Sequence, residues 1–277
     1  MSLFVTSLNS GSNGNCYYVG NEKEAILVDA GISCREIERR IKRLGLSINK
    51  VKAVFISHEH TDHIIGLPVL SSKYRLPVYI TSATFMNARL TLDKELVISF
   101  KAHEPVIIGD LRITAFPKFH DACDPFSFTV SCRNIKVGVF TDIGIPCAHL
   151  INYFKQCHAA FLETNYDDIM LEQGSYPYVL KNRIRGGKGH LSNKQALELF
   201  NQHKPKFMSH LFLSHLSKNN NSAQLVEQLF NHHANGVKII VASRYNETPV
   251  YHIHNLKKSQ AVHRQRVVSS QLAFSFT

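Results

Sequence analysis

Residues 51–57 read VKAVFIS, and the next six read HEHTDH, three imidazoles and two carboxylates at the end of an apolar run. A short β-branched run of this kind reads as a buried strand, so the donors emerge together at one strand end. Side chains two apart on an extended chain point the same way, which lets His58 and His60 converge. Asp62 and His63 come round as the chain turns into a helix expected over DHIIGLPVLSSKY. Imidazole with carboxylate suits Zn, Mn or Fe, and the absence of nearby thiols sets the motif apart from a structural zinc finger. A pair of metals needs more donors than these four, so other strands must end at the same edge. Three candidates do: His120 follows ITAFPKF, Asp142 follows KVGVFT and His215 follows FMSHLFLS. A lone histidine is ordinarily a surface or satisfied core group, and most of the 16 in the chain are read so. Four donors in one hexapeptide are not.

The rest of the chain supplies elements to carry that edge. LFVTSLN, CYYVG and EAILVDAG read as strands separated by Gly/Asn turns. CREIERRIKRLG places Ile37, Ile41 and Leu44 on one helical face and stops at Gly45. LPVYITS, ELVISF, FSFTVSC and NIKVGVFTD read as short strands, and PVIIGDLRITAF as a hairpin turning at Gly109-Asp110. Helices and strands then interleave. SNKQALELFNQH is a helix with Ser192 and Gln195 spaced as a capping box, and NSAQLVEQLFNHH is another. CHAAFLET, KFMSHLFLSH, VKIIVAS and PVYHI are strands. No repeat, low-complexity segment or Pro/Gly linker divides the chain, so one layered α/β domain is expected over 1–277. The basic tail 255–277 is expected to pack its end, QLAFSF, on a sheet edge.

A chain of 277 residues can bury a substantial single core. No signal peptide and no apolar run of about 20 residues is evident, so the expected location is the cytoplasm. The six cysteines form no CxxC pair and are read as buried thiols. A formal charge of +11 favours polyanionic partners through counterion release.

At the level of motifs, ILVDAG and SHEHTDHIIG resemble the metallo-β-lactamase superfamily of metal-dependent hydrolases, and so does the order of later donors. The resemblance implies a four-layer αββα sandwich with metals at one edge. It implies that His58, His60 and His120 hold one divalent ion, that Asp62, His63 and His215 hold a second, and that Asp142 bridges them. Asp29 supports without ligating, and Glu59 is not an expected ligand. Zn or Mn fits such a donor set. Two such ions would acidify a shared water, and Asp62 could orient it or accept its proton.

The second half points to one chemistry. AAFLETNYD places Glu163 at a strand end, and GKGHLSNKQALELF places His190 ahead of the capped helix. Their order resembles the phosphodiesterase branch that includes transfer-RNA 3′-processing enzymes. There, such a pair protonates the leaving oxygen: His190 as acid, Glu163 orienting it. Lys181, Arg183, Arg185 and Lys188, read as a glycine-containing loop before His190, could track phosphates. Arg39, Arg40, Lys42 and Arg43 are read as a solvated helix face that could extend the track, as could Lys257, Lys258, Arg264 and Arg266. Only 73 positions separate Asp142 from His215, leaving no room for the β-CASP insertion, and the segment from His120 to Asp142 is too short for a substrate-grasping arm.

What remains is similar to the compact YycJ/VicX/WalJ group, through SLNSGSNGNCYYV, FHDACDPFSFTV, FTDIG, LETNYD, GHLSN and LSHLSKNNN. That group often has Gly where this chain has Phe126 or Ser127. The resemblance implies a metal-dependent nuclease, a 5′-to-3′ exonuclease on duplex DNA associated with DNA repair. DNA stands ahead of RNA as partner, and no membrane is implied. The alternatives are an RNA-processing endonuclease, a thioester or lactam hydrolase, and a non-catalytic nucleic-acid-binding protein.

Overall fold

Every strand run read from the sequence up to residue 253 forms a strand, in two seven-stranded sheets of the computed structural model, which describes residues 2–254. In the first sheet β1 (Leu3–Asn9), β2 (Cys16–Gly20) and β3 (Ala25–Val28) pair antiparallel, and β4 (Val51–Phe55), β5 (Val78–Tyr79) and β6 (Val97–Ile98) continue in parallel. In the second, β7 (Pro105–Ile108), β8 (Leu111–Pro117), β9 (Phe126–Cys132) and β10 (Ile135–Phe140) pair antiparallel. There β11 (Ala159–Glu163), β12 (His210–Ser214) and β13 (Lys238–Val241) follow in parallel. β14 (Tyr251–Ile253) crosses back to pair antiparallel with β1. Each sheet therefore runs through three antiparallel and then three parallel pairings, an internal correspondence without a visible sequence repeat.

Three apolar layers hold this arrangement together. Between the sheets, Tyr17, Phe55, Phe128, Phe161 and Phe212 interlock, with Phe161 4.4 Å from Phe212 and 5.0 Å from Tyr17 between ring centroids. Outside the first sheet lie α1 (Cys34–Arg43), α2 (Thr61–Ile64), α3 (Leu67–Tyr74) and α4 (Ser82–Ala88), burying Ile37, Ile41, Ile64, Leu67 and Leu70. Outside the second lies α5 (Ala148–Phe154). After it come α6 (Asp168–Gln173) and α7 (Tyr178–Arg185), then α8 (Asn193–His203) and α9 (Ala223–Asn231). Leu150, Phe154, Leu199, Phe200, Val226 and Phe230 close that layer. The result is the αββα sandwich expected from the sequence, with the parallel strands buried on both faces as such strands require.

Several local expectations change. The helix read over DHIIGLPVLSSKY is broken after α2, because Gly66 presses against the loop after β3: a Cβ there would lie 2.0 Å from the Ile32 carbonyl. The segment read as a basic loop is mostly helix, α7, with only Gly186–Gly189 as loop. α4 follows a Thr81 cap that accepts from the Thr84 N–H, a signal overlooked because LPVYITS reads as strand. Cys16, Cys34, Cys132 and Cys157 are buried, but Cys123 is exposed and Cys147 half-buried. Phe126 sits in β9, its ring 5.1 Å from that of Phe100 rather than in a loop beside His120. The strand expected at QLAFSF lies outside the described residues.

Phe161 has no exposed surface and bridges the sheets. Phe161→Ala should lower the unfolding free energy by about 3–5 kcal/mol, as read by chemical denaturation; a loss below 1 kcal/mol would contradict its place in the core.

Candidate metal centre

The parallel strands of both sheets end at one edge, and their first residues beyond the hydrogen-bonded ladder bear the polar groups. Asp29 after β3, Asp142 after β10 and His215 after β12 all have left-handed backbones, with φ of 63°, 55° and 56°. Such a conformation costs a non-glycine residue about 1 kcal/mol or more, and here it turns each side chain back across the strand ends. Asp29 is fully buried and accepts from the Ser57 N–H at 2.8 Å and the Ser57 hydroxyl at 2.8 Å, while its Oδ2 lies 2.7 Å from His63 Nδ1. It thereby orients His63 without facing the cleft.

The loop before β2 closes the other side. Asn15 donates its N–H to the Asp62 carbonyl at 2.7 Å, and its Nδ2 lies 3.2 Å from Asp62 Oδ2 and 3.1 Å from His63 Nε2. Gly31 is packed so closely here that a Cβ would fall 1.7 Å from the Asp62 carbonyl oxygen. Across the edge, His120 Nδ1 lies 3.0 Å from the Gly189 carbonyl and His215 Nδ1 lies 2.8 Å from Glu163 Oε1. Second partners of this kind set ring orientation and leave the other nitrogen for a ligand.

The donor atoms of His58, His60 and His120 all lie within 4.8 Å of one another, and so do those of Asp62, His63 and His215. Asp142 belongs to both sides, grouping with His58 and His63 and also with His190 and His215. His120 Nε2, Asp142 Oδ2 and His215 Nε2 are buried with no hydrogen-bond partner. Buried polar atoms are seldom left so, and three of them lining one cleft fit bound cations.

Charge tells the same story. Burial, with the His63 and Lys118 cations nearby, pushes His58 well below the usual histidine range, and burial pushes His120 down to about 4. Burial opposes protonation of His63 too, but Asp142, Asp29 and Asp62 raise it well above normal; His215 rises to about 10 against burial because Asp142, Asp62 and Glu163 surround it. Asp142 stays well below the carboxylate range despite burial, held by His215 and His63. His58 and His120 are thus neutral imidazoles, ready to coordinate, while His63 and His215, surrounded by carboxylates, retain protons where a cation would sit.

Glu163 is fully buried, and its Oε1 lies 2.8 Å from both His190 Nδ1 and His215 Nδ1. Its Oε2 accepts from the Ile143 and Leu191 N–H groups. Burial would raise its pKa, yet the two imidazoles hold it at about 2. His190, Arg183 and Ser12 line an open cavity of about 180 Å³ with Asp62, Asp142 and His215. Among the basic residues singled out, Arg183 faces this cavity with Nε 2.5 Å from Asp121, Arg185 pairs with Glu172 at 2.8 Å, Lys181 reaches the Glu172 carbonyl, and Lys188 is exposed. Arg40 is not on a solvated face: it is buried and donates to the Leu8 and Tyr245 carbonyls and to Asn9 Oδ1. Arg39 pairs with Glu36 and Arg43 with Glu247, and Lys257, Lys258, Arg264 and Arg266 lie outside the described residues. Glu59 accepts from the Cys123 N–H, away from the donor clusters. Asn15, Ser12 and Ser57 escaped the sequence reading; the SGSNGN turn was the only signal for Ser12 and Asn15, and Ser57 stands directly before HEHTDH.

An αββα sandwich with two His/Asp donor clusters at the strand ends defines a metallo-hydrolase. Residues 10–130 match the family model described as the metallo-beta-lactamase superfamily. The exodeoxyribonuclease YycJ of Bacillus anthracis is 34% identical over 230 residues, covering 81% of this chain and 86% of that protein. Ribonuclease Z of Methanopyrus kandleri is 34% identical over 104 residues, 34% of this chain and 36% of its own. The crystal structure of the metallo-β-lactamase fold protein YhfI from Bacillus subtilis superposes with a TM-score of 0.70 over 91% of this chain and all of its own, at 16% identity. The chain belongs to the YycJ/WalJ group of the metallo-β-lactamase superfamily, and it is a metal-dependent hydrolase. No helix among the described residues is long and apolar enough to cross a membrane.

Two measurements bear on this centre. Asp29→Asn should weaken divalent-metal binding 10- to 100-fold, the usual effect of losing an outer-shell partner; unchanged affinity in a chelator competition would remove Asp29 from that role. Because His63 and His215 hold protons that a metal must displace, one cluster should bind its ion more tightly as pH rises from 6 to 9. The ion held with His58 and His120, both kept neutral by burial, should change less over that range. Calorimetry in buffers of different ionisation enthalpy would detect the difference, and two ions with identical pH dependence would contradict it.

Proposed function

We propose that this chain is a two-metal phosphodiesterase that degrades DNA as an exonuclease, from the 5′ end. The observation that carries the reading is the Glu163–His190 pair: a histidine on the cavity wall, anchored through Nδ1 to a buried carboxylate at 2.8 Å. A phosphodiester releases an alkoxide that needs a proton, whereas thiolate and many lactam leaving groups need one less. The pair therefore favours phosphodiesters over thioesters and lactams.

Divalent ions at these donors, Zn or Mn from the donor types, would supply Lewis acidity and would acidify a water. His58, His60 and His120 would hold one, Asp62, His63 and His215 the other, with Asp142 shared. Asp62, 24% exposed at the cleft, orients the attacking water and takes its proton. His190, fixed by Glu163, hands a proton from Nε2 to the departing oxygen. Arg183 stands over the cavity to meet backbone phosphates once it exchanges Asp121 for substrate, and Lys181, Arg185 and Lys188 extend that surface. The similarity to the exodeoxyribonuclease YycJ supports DNA and exonucleolytic action; work on DNA ends in the cytoplasm, during repair, follows from the same reading.

Metal-loaded protein should shorten 5′-labelled duplex DNA from its labelled end. His190→Ala should lower kcat about 10²- to 10⁴-fold, the contribution of general acid catalysis, with metal content unchanged. Loss of metal in that variant would make His190 a ligand and sink its role as acid. Glu163→Gln should depress both turnover and metal affinity, since its Oε1 also holds His215. Preference for RNA in a panel of DNA, RNA and a thioester would replace the DNA reading with RNA processing.

A further inference from the structure

Beyond the wall made by Ser12 and His215, the molecule has a second open cavity, of about 260 Å³. β12 and β13 are parallel neighbours, so the segments that follow them leave the sheet side by side, at the edge that bears the metal donors. Leu216, Ser217 and Lys218 form one wall, and Ser243, Arg244 and Tyr245 the other. None of the residues lining this cavity is acidic.

Arg244 is the central group. Its backbone is fixed by the same loop that carries Asn15: the Arg244 carbonyl accepts from Asn13 Nδ2 at 2.7 Å, and a Cβ on Gly11 would sit 3.1 Å from Arg244 Cβ. On either side of it, the Ser243 carbonyl accepts from the Ser10 N–H at 3.1 Å and the Tyr245 carbonyl from Arg40 at 2.9 Å. Its Nη2 lies 3.4 Å from the Ser12 hydroxyl, which also lines the metal cavity. Yet Nη1 is buried without a hydrogen-bond partner, and among the described residues no carboxylate pairs with this guanidinium. An arginine held rigid at its backbone, with one fork nitrogen unpartnered and no carboxylate beside it, is suited to an anion from outside, because the fork matches phosphate oxygens. Lys218 is exposed on the facing wall and likewise has no carboxylate partner among the described residues. Tyr245, 61% exposed, places its ring 5.8 Å from the guanidinium carbon, a face on which a base can stack.

We propose that this cavity is a nucleotide subsite of the metal cleft, taking a phosphate of the nucleic-acid strand on Arg244 and Lys218 and its base against Tyr245. It rests on the phosphodiesterase reading and adds what that reading lacks, a fixed point that sets how far along the strand the scissile phosphate falls. The phosphate is either an internal phosphodiester or a 5′-terminal monoester, which present the same oxygens to the fork.

The test compares wild type, Arg244→Gln and Tyr245→Ala, all metal-loaded, on a labelled oligonucleotide and on bis(p-nitrophenyl) phosphate, which has no strand to reach the second cavity. The loss of kcat/KM in Arg244→Gln should be at least tenfold larger on the oligonucleotide, expressed in KM. The slope of log affinity against log salt should fall by about one phosphate contact. Tyr245→Ala should weaken oligonucleotide binding with little change in that slope. Equal losses on both substrates would mean that Arg244 only supports the His215 loop, and would overturn the proposal. So would an equal effect from Arg112→Gln, a matched charge change on an exposed residue of β8 in the opposite part of the second sheet. If wild type hydrolyses neither substrate, the phosphodiesterase reading fails separately; fluorescence anisotropy with a phosphorothioate oligonucleotide then decides, equal binding by wild type and Arg244→Gln rejecting the subsite. A penalty confined to 5′-phosphorylated strands assigns the pocket to the terminal phosphate, and an equal penalty on 5′-hydroxyl strands assigns it to an internal one.

Discussion

Asp29, Asp62, Asp142 and Glu163 gather at one edge with six imidazoles, and Asp29, Asp142 and Glu163 are almost wholly shielded from water. Buried charge on this scale is tolerated only where it is paired and hydrogen-bonded. That requirement explains features that otherwise look unrelated. Three site residues adopt left-handed backbones to turn their side chains into the group. Ser57 gives both its N–H and its hydroxyl to Asp29, and Lys118, itself buried, donates to the Thr141 carbonyl just before Asp142. Even so, the pairing is incomplete in protein atoms alone, which is the physical sense in which the site calls for cations.

Correspondence between the sheets makes such an edge possible. β3 and β10 hold the same position in their sheets, each the last antiparallel strand before the parallel set, and each is followed closely by a left-handed aspartate. One of these, Asp29, became an outer support, while the other, Asp142, lies between the two donor clusters. The following strands, β4 and β11, end beside them with His58 and Glu163. Face-to-face packing through Tyr17, Phe55 and Phe161 fixes the two edges against each other, so the cleft inherits the rigidity of the core.

Glu163 links two functions that would otherwise be separate. One oxygen holds the cavity-wall histidine and a donor histidine at equal distances, while the other is fixed by two backbone N–H groups. A shift in either imidazole is therefore felt by its partner through a shared buried carboxylate. The cleft, the His190 wall and the Arg244 pocket are contiguous because the loop at residues 10–15 touches the donor histidines on one side and Arg244 on the other.

HEHTDH, the strands before His120, Asp142 and His215, and the capped helix after His190 were legible because local chemistry specifies them. A β-branched run implies a strand, and donors at its end share a direction whatever surrounds them. A layered α/β domain was legible too, through the interleaving of strands and helices, and its four-layer αββα order through the family resemblance. Long-range packing was not. The break between α2 and α3 depends on the close approach of Gly66 to the Ile32 carbonyl, distant in the chain; the buried state of Arg40 depends on carbonyls of Leu8 and Tyr245, distant likewise. Arg244 carries no local signature at all, and Asn15 only that of a Gly/Asn turn, since each matters through what the fold sets beside it. The sequence by itself determined which groups could bind a metal and on which strands they stand. Only the tertiary structure decided that the Nε2 atoms of His120 and His215 are free, which arginine is left without a carboxylate and which carboxylate two histidines must share, because those depend on contacts that no spacing along the chain encodes.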